Sequence, residues 1–487
     1  MRFHNTLTGE LDDFNPINDD VVTLYTCGPT VYDHPHIGNW ASFLYWDILV
    51  RTLLANGYSV KRVMNITDVG HLASDADEGE DKLEKGAKRE NKTAWEVAEF
   101  YAEDFMNGVE KLGLIMPEHI TKATDYINQQ LNLARKLKEL GYTYQTTDGI
   151  YFDTSKFASY ADFAHLDLEA QKAGARVQQN NEKRQPWDFA IWKFTPTGQK
   201  RDMEWETPAD MLDLPQDPGK PVMGFPGWHL ECSAMAMDIL GETIDIHTGG
   251  IDHIPVHHTN EIAQSEAVTG KRFANYWLHN NHLKIDGGKI SKSLGNGYTL
   301  NDLEDRGFTP MDLRMFVLQS QFVNEGNFTF DNLQSAHNRL ANWRNYAALR
   351  HQTHDRLNND CDKNDSENYI SLLATSGAVK EALNDNLNTP LALSIVDEAF
   401  DRLDNQPLQN IHRHGLMELL NTVDELLGLQ LVDGTPDITD NQKRLILERE
   451  RAREAKDWTK SDVLRDELLA EGVSVKDTKF GAVWSYA

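Results

Sequence analysis

Cysteine is scarce in this chain, with three among 487 residues. Three scattered thiols do not make a disulfide framework, so a reducing cytoplasmic setting is expected. Long apolar runs are absent too. Nothing approaches the roughly eighteen consecutive apolar residues of a membrane span, and the opening MRFHNTLTGELDDF is polar where a signal peptide would be apolar. Positive charge is also in short supply: 48 Lys and Arg stand against 76 Asp and Glu, a net charge of −28. That excludes broad, non-specific binding of nucleic acid. It leaves local basic stretches, at 62–65, 85–92 and 443–456, as candidate contacts, although mixed-charge runs of this kind commonly form solvated helix faces.

What is present is ordinary globular material, 40% hydrophobic and 25% charged, in a chain long enough for two to four domains. Residues 21–27, VVTLYTC, read as a buried strand running into Gly28-Pro29. A loop, YDHPHIGN, leads into a helix with Phe43, Trp46, Val50, Leu53 and Leu54 on one face and Gly57 at its end. VKRVMNI at 60–66 is the next strand. This order makes a βαβ unit, hence a parallel sheet that binds ligands at its carboxyl edge. Residues 71–140 read mostly as helix. From Thr143 to about Lys220 the pattern is irregular, with short strands such as GIYFDTS and DFAIWKF, and it reads as an insertion that is mostly surface connection.

The sheet pattern resumes at ETIDIHTGG, followed by a helix, IPVHHTNEIAQSEAVTG, closed by Gly270. Further strands follow, with a mobile, glycine-flanked loop around KISKS. Beyond Thr299 the periodicity is helical and predicts a bundle. Residues 352–369 read as an exposed polar loop in which Cys361 is an incidental thiol. The end reads as a separate small module of two helices and a short β tail.

Three constellations carry chemistry. His257 and Glu261 are four apart on a predicted helix and therefore share a face. Cys232 lies upstream in GWHLECSAM, and Cys27 sits at the tip of the first strand. Two thiolates, an imidazole and a carboxylate are a plausible zinc set, with His258, His253 and His247 as alternative ligands. The bland reading is an inert buried cysteine beside a surface His–Glu pair. In the second, His36-Ile37-Gly38-Asn39 opens the first helix, where a helix N-terminus and a glycine suit phosphate oxygens. In the third, Lys289 and Lys292 of KISKS, bounded by Gly287-Gly288 and Gly295, can close over a polyphosphate.

Together these motifs resemble the class I aminoacyl-tRNA synthetases, and within them the cysteinyl-tRNA synthetase family. HIGN stands where that family's HIGH signature belongs, and KISKS stands for KMSKS. GWHLECSAM, DIHTGG, HHTNEIAQ, KISKSLGN and the C-terminal AREAKDWTKSDVLRDEL are similar to its segments in the same order.

The resemblance implies an α/β fold, a Rossmann-like parallel-sheet catalytic domain carrying an insertion, then a C-terminal helical bundle and a small anticodon-binding module. The divisions it implies are catalytic halves at 1–120 and 223–300, a connective insertion at 121–222, a stem-contact region at 301–340, the bundle at 341–430 and the anticodon module at 431–487.

It also implies an enzyme that activates L-cysteine with ATP and Mg²⁺ and passes it to tRNA(Cys), as a cytoplasmic monomer. One Zn²⁺ per chain would be held by Cys27, Cys232, His257 and Glu261 and joined by the substrate thiolate, His257 being preferred to His258 because it lies one turn from Glu261. His36, Gly38 and Asn39 would meet ATP, Lys289 and Lys292 would stabilise its phosphates, and Thr67, Trp228, His247 and Asp252 would shape the amino-acid pocket.

The chain departs from the family pattern at Asn39 (for histidine), Ile290 (for methionine), Thr248 (for glycine) and Thr259 (for glutamate). Two other readings stay open at this point: a ligase joining cysteine to an amino sugar, as in the mycothiol pathway, and a non-catalytic, zinc-stabilised RNA-binding paralogue.

Overall fold

The structure is a computed structural model that describes residues 1–70, 81–167, 182–213, 220–290, 295–353, 357, 367–404, 407–478 and 481–487. Five strands make the central sheet: β1 (Val21–Thr26), β2 (Ser59–Ile66), β3 (His119–Lys122), β4 (Ile244–Gly250) and β5 (Ala274–Asn280). Their order is β5-β4-β1-β2-β3 and every pairing is parallel. The chain thus builds outward from β1 on one side, then returns to place β4 on the other. Connections leave the carboxyl ends of β1 and β4 in opposite directions, and a crevice opens between them.

β3 lies within the stretch read from sequence as helix. Its four residues are too short to show a period, and pairing with Val63–Ile66 is what extends them. Around it the expected helices appear at Lys82–Glu90, Ala94–Lys111 and Ile127–Glu139.

The first helix, α1 (Ile37–Ala55), is buried nearly all round. Phe43, Trp46, Val50 and Leu53 face the core as expected, but Leu54 is 44% exposed. The apolar residues outside the predicted stripe, among them Trp40, Leu44 and Ile48, are buried because α1 packs on the helices at 310–318 and 413–427 as well as on the sheet. Asp47 on α1 accepts from the guanidinium of Arg314, both fully buried, and Arg314 also donates to Leu427 O and Leu112 O. Gly428 (φ 64°) has no room for a side chain, since a β-carbon would meet that guanidinium.

The insertion is more than surface connection. Strands at 143–145, 149–152, 190–194, 205–206 and 223–226 form an antiparallel sheet, and its Phe152, Ile191 and Trp192 are fully buried. Two helices complete the site's frame: α2 (Trp228–Leu240), which packs on β2 and β1, and α3 (Thr259–Thr269), which packs on α2.

After residue 300 the fold is mostly helical, with one short strand at Gly326–Phe328 before the bundle. Helices at 330–348, 367–384, 389–404 and 413–427 form the bundle. The end folds as two helices and an antiparallel hairpin around Leu445, Ile446, Leu464, Leu468, Val473 and Trp484. Gln352, assigned from sequence to an exposed loop, is buried and joins this module to the bundle through paired hydrogen bonds with the backbone of Trp484. Cys361 lies outside the described residues. No helix among the described residues is long and apolar enough to cross a membrane.

Candidate active site

β1 ends at Thr26, so Cys27 emerges at the crevice. Gly28 follows it closely packed: a β-carbon there would fall 1.6 Å from Asn65 O, and its N–H donates to Asn65 Oδ1 at 2.8 Å. From the other side α2 brings Cys232, and α3 brings Glu261. The predicted helix does not begin regularly. Ile254–His258 form one turn of π-helix, a wider winding frequent at functional sites. It is this turn that carries His257 and His258.

The ligand atoms of Cys27, Cys232, His257 and Glu261 all lie within 4.8 Å of one another. Cys27 is partly exposed and the other three are buried. Glu261 sits 3.2 Å from His257 Nε2 and 2.7 Å from His247 Nε2. Neither contact is well aligned, and among the described residues no directed hydrogen bond reaches either carboxylate oxygen or either His247 nitrogen. Buried donor atoms that converge in this way fit a cation.

The alternative histidines are close as well. His258 Nε2 is 3.4 Å from Cys27 Sγ, and its Nδ1 is 2.7 Å from His279 Nε2. Cys27, His247 and His258 make a second trio within 4.8 Å.

Charge in the set is finely balanced. Burial pushes the Cys27 and Cys232 thiols up, Cys232 the further. Burial works against a charged His257, but the Glu261 carboxylate and the Cys232 sulfur outweigh it and raise the group to about 10. Burial likewise opposes ionisation of Glu261, yet His247 and His257 hold it well below the carboxylate range. His253 falls to about 4, chiefly through burial. Burial thus opposes ionisation of both thiols, and a bound cation would favour their thiolate form, with release of protons.

The crevice continues from this set as a cleft of ≈ 620 Å³. Trp228, Thr67 and Asp252 line it, as do His36 and Asn39. Trp228 lies over His257 with ring centres 4.4 Å apart, while Thr67 is buried and donates to Glu231 Oε2 at 3.3 Å. His247 forms the wall behind Glu261 and stacks on Trp277.

At the far end α1 presents its N-terminus. His36 caps it through Nδ1, which accepts from Asn39 N, and Asn39 Oδ1 accepts from His36 N. The asparagine thus completes a reciprocal capping box at the helix's positive end. Ile290 and Gly295 close the cleft over it. Lys289 is exposed beside them, its carbonyl held by Asn296. Lys292 lies outside the described residues.

Sequence reading missed His229, whose Nδ1 is 3.0 Å from His257 Nδ1, and His279. In a chain with 18 histidines, only tertiary distance separates these from their neighbours.

The family profile described as "tRNA synthetases class I (C) catalytic domain" matches residues 13–338, and "Cysteinyl-tRNA ligase anticodon binding domain" matches 435–484. The chain belongs to the class I cysteinyl-tRNA synthetase family. Relatives of that family span its whole length. The cysteine–tRNA ligase of Treponema denticola is 37% identical, with 99% of each chain covered. Cysteine–tRNA ligase 1 of Burkholderia lata is 39% identical over 99% of this chain and 96% of its own.

Among solved structures, the methionyl-tRNA synthetase of Mycobacterium tuberculosis in complex with methionyl-adenylate superposes with a TM-score of 0.56 at 13% identity, covering 88% of this chain and 94% of that one. The likeness is one of fold.

Proposed function

We propose that this chain activates L-cysteine with ATP as cysteinyl-adenylate and transfers the cysteinyl group to tRNA(Cys). The observation that carries the reading is the cleft itself. One end is a thiol, imidazole and carboxylate set, the other is a capped helix N-terminus, and the two are joined without a break at the switch point of a parallel sheet.

Neither step requires a protein nucleophile, so the work of the chain is to position reactants and to stabilise charge. His36, Gly38 and Asn39, at the positive end of α1, receive ATP phosphates with their Mg²⁺. Lys289 and Lys292 add positive charge as pyrophosphate departs. Thr67, Trp228, His247 and Asp252 bound the amino-acid end. Cys27, Cys232, His257 and Glu261 hold one Zn²⁺, which when bound supplies a Lewis acid that favours a thiolate over the neutral hydroxyl of serine. A pocket without it would separate such near-isosteres by only about 10- to 200-fold.

In this reading residues 1–120 and 223–300 are the catalytic unit, 121–222 the insertion, 301–340 the stem contact, 341–430 the bundle and 431–487 the anticodon module. The protein acts as a monomer in the cytoplasm. The match at the C-terminal end supports tRNA, rather than an amino sugar, as the acceptor.

Pyrophosphate exchange tests the reading. Exchange should depend on cysteine, be negligible with serine, and be followed by charging of tRNA(Cys). Exchange without charging would point to the amino-sugar ligase, and no exchange at all to a non-catalytic paralogue.

A further inference from the structure

The π turn before α3 is a local departure from α-helical winding. Its wider winding would relax to an α-helix by a slip in register, and such a slip would turn His257 away from Cys232. Two side chains oppose this. Thr259 Oγ1 donates to Ile254 O at 2.7 Å, holding the turn at its start. Tyr160, from the insertion, donates through Oη to Asn260 Oδ1 at 2.7 Å. Asn260 is the residue immediately before Glu261, and it is 2% exposed; Tyr160 is 5% exposed. Burial pushes the Tyr160 phenol up, so it stays protonated and acts as a donor.

The rest of the insertion closes around the same place. Phe163 packs on Trp277 with ring centres 5.1 Å apart, and Trp277 stacks on His247. Phe189 meets His229 edge-on at 5.5 Å, and His229 faces His257. An insertion that only connected surfaces would not place Phe189 against His229 and Phe163 against Trp277 and His279.

We infer that Tyr160 is a positioning residue for the metal set, its hydroxyl fixing Asn260 and through it the turn that aims His257 and Glu261 at the two cysteines. The inference rests on the reading of that set as a metal site. Outer partners that orient metal ligands typically affect metal affinity by about 10- to 100-fold, and Tyr160 acts one step further out, so the lower end is expected.

The test uses the full chain loaded with cobalt(II), whose thiolate charge-transfer and ligand-field bands report coordination geometry. Tyr160→Phe keeps the ring and removes only the hydroxyl. It should shift the ligand-field bands, speed metal release to a chelator about tenfold, and raise KM for cysteine while leaving KM for ATP unchanged. Tyr346→Phe, which deletes a tyrosine hydrogen bond to Asp404 in the distant bundle, should change none of these. A wild-type chain without a cobalt–thiolate band would overturn the metal reading itself. A wild-type band with the same spectrum and release rate in Tyr160→Phe would overturn the role of Tyr160 alone.

Discussion

Ile290 rests on the bare backbone of Gly38: a β-carbon at Gly38 would come within 2.7 Å of Ile290 Cδ1 and 3.1 Å of the His36 ring. The two signature segments, some 250 residues apart in the chain, are thus in contact. Ile37 N donating to Tyr298 O at 2.8 Å and the bridge between His36 and Thr299 fix the alignment. The residue that replaces methionine in KISKS is therefore a packing contact with the start of α1, and glycine is required opposite it.

Gly38→Ala should push Ile290 and the His36 ring aside. A displacement of this size at the proposed phosphate-binding end is expected to lower kcat/KM for ATP by about 10- to 100-fold, with KM for cysteine little changed. Adding Ile290→Ala should restore part of the loss. Pyrophosphate exchange at varied ATP measures both.

Cys232→Ala removes one of two sulfurs from the proposed set. Metal content, measured on the purified chain, should fall from one zinc per chain to a small fraction. Discrimination against serine should fall with it, towards the roughly 10- to 200-fold of a pocket without a metal. Unchanged discrimination in a metal-free variant would remove zinc from the selection step.

Arg314→Leu leaves Asp47 as a buried carboxylate whose other cationic partner is Arg51, at 2.6 Å. Breaking a buried pair from one side typically costs about 3–5 kcal/mol, and Arg51 should hold the loss near the lower figure. Denaturant titration should show this as an earlier midpoint. Because Arg314 also holds Leu427 O, the bundle should become more susceptible to protease.

Asp68 gives a pH dependence. Burial, only partly offset by hydrogen bonds from Thr124, raises its carboxyl from 3.8 to about 6. The fold therefore favours the protonated form. That stabilisation is complete below about pH 4 and is lost as pH rises through about 6, above which the buried charge costs up to about 3 kcal/mol. Asp68→Asn should raise the thermal midpoint at pH 8 and leave it nearly unchanged at pH 4.

Much of the site was legible because its signals are local. His257 and Glu261 share a face at any regular helical spacing, and HIGN announces a helix start through its own cap. The π turn was not legible, since its winding depends on contacts made by Tyr160 and Thr259 rather than on the identity of IPVHH. Strand β3 was hidden for a similar reason: HITK has no period of its own, and β2 supplies its partner. Leu54 shows the converse error, an apolar residue assigned to the core face of a helix that is buried on nearly every other side.

By itself the sequence determined the parallel βαβ arrangement, the helical C-terminal half and the residue types able to hold a metal and phosphates, because hydrophobic period, caps and glycines act within a few residues. Only the tertiary structure decided which of several histidines faces the two cysteines and that the insertion walls the site. It alone brought Gly38 against Ile290. Those outcomes depend on distances between segments far apart in the chain, and the order in which the strands assemble, β1 beside β4, sets those distances.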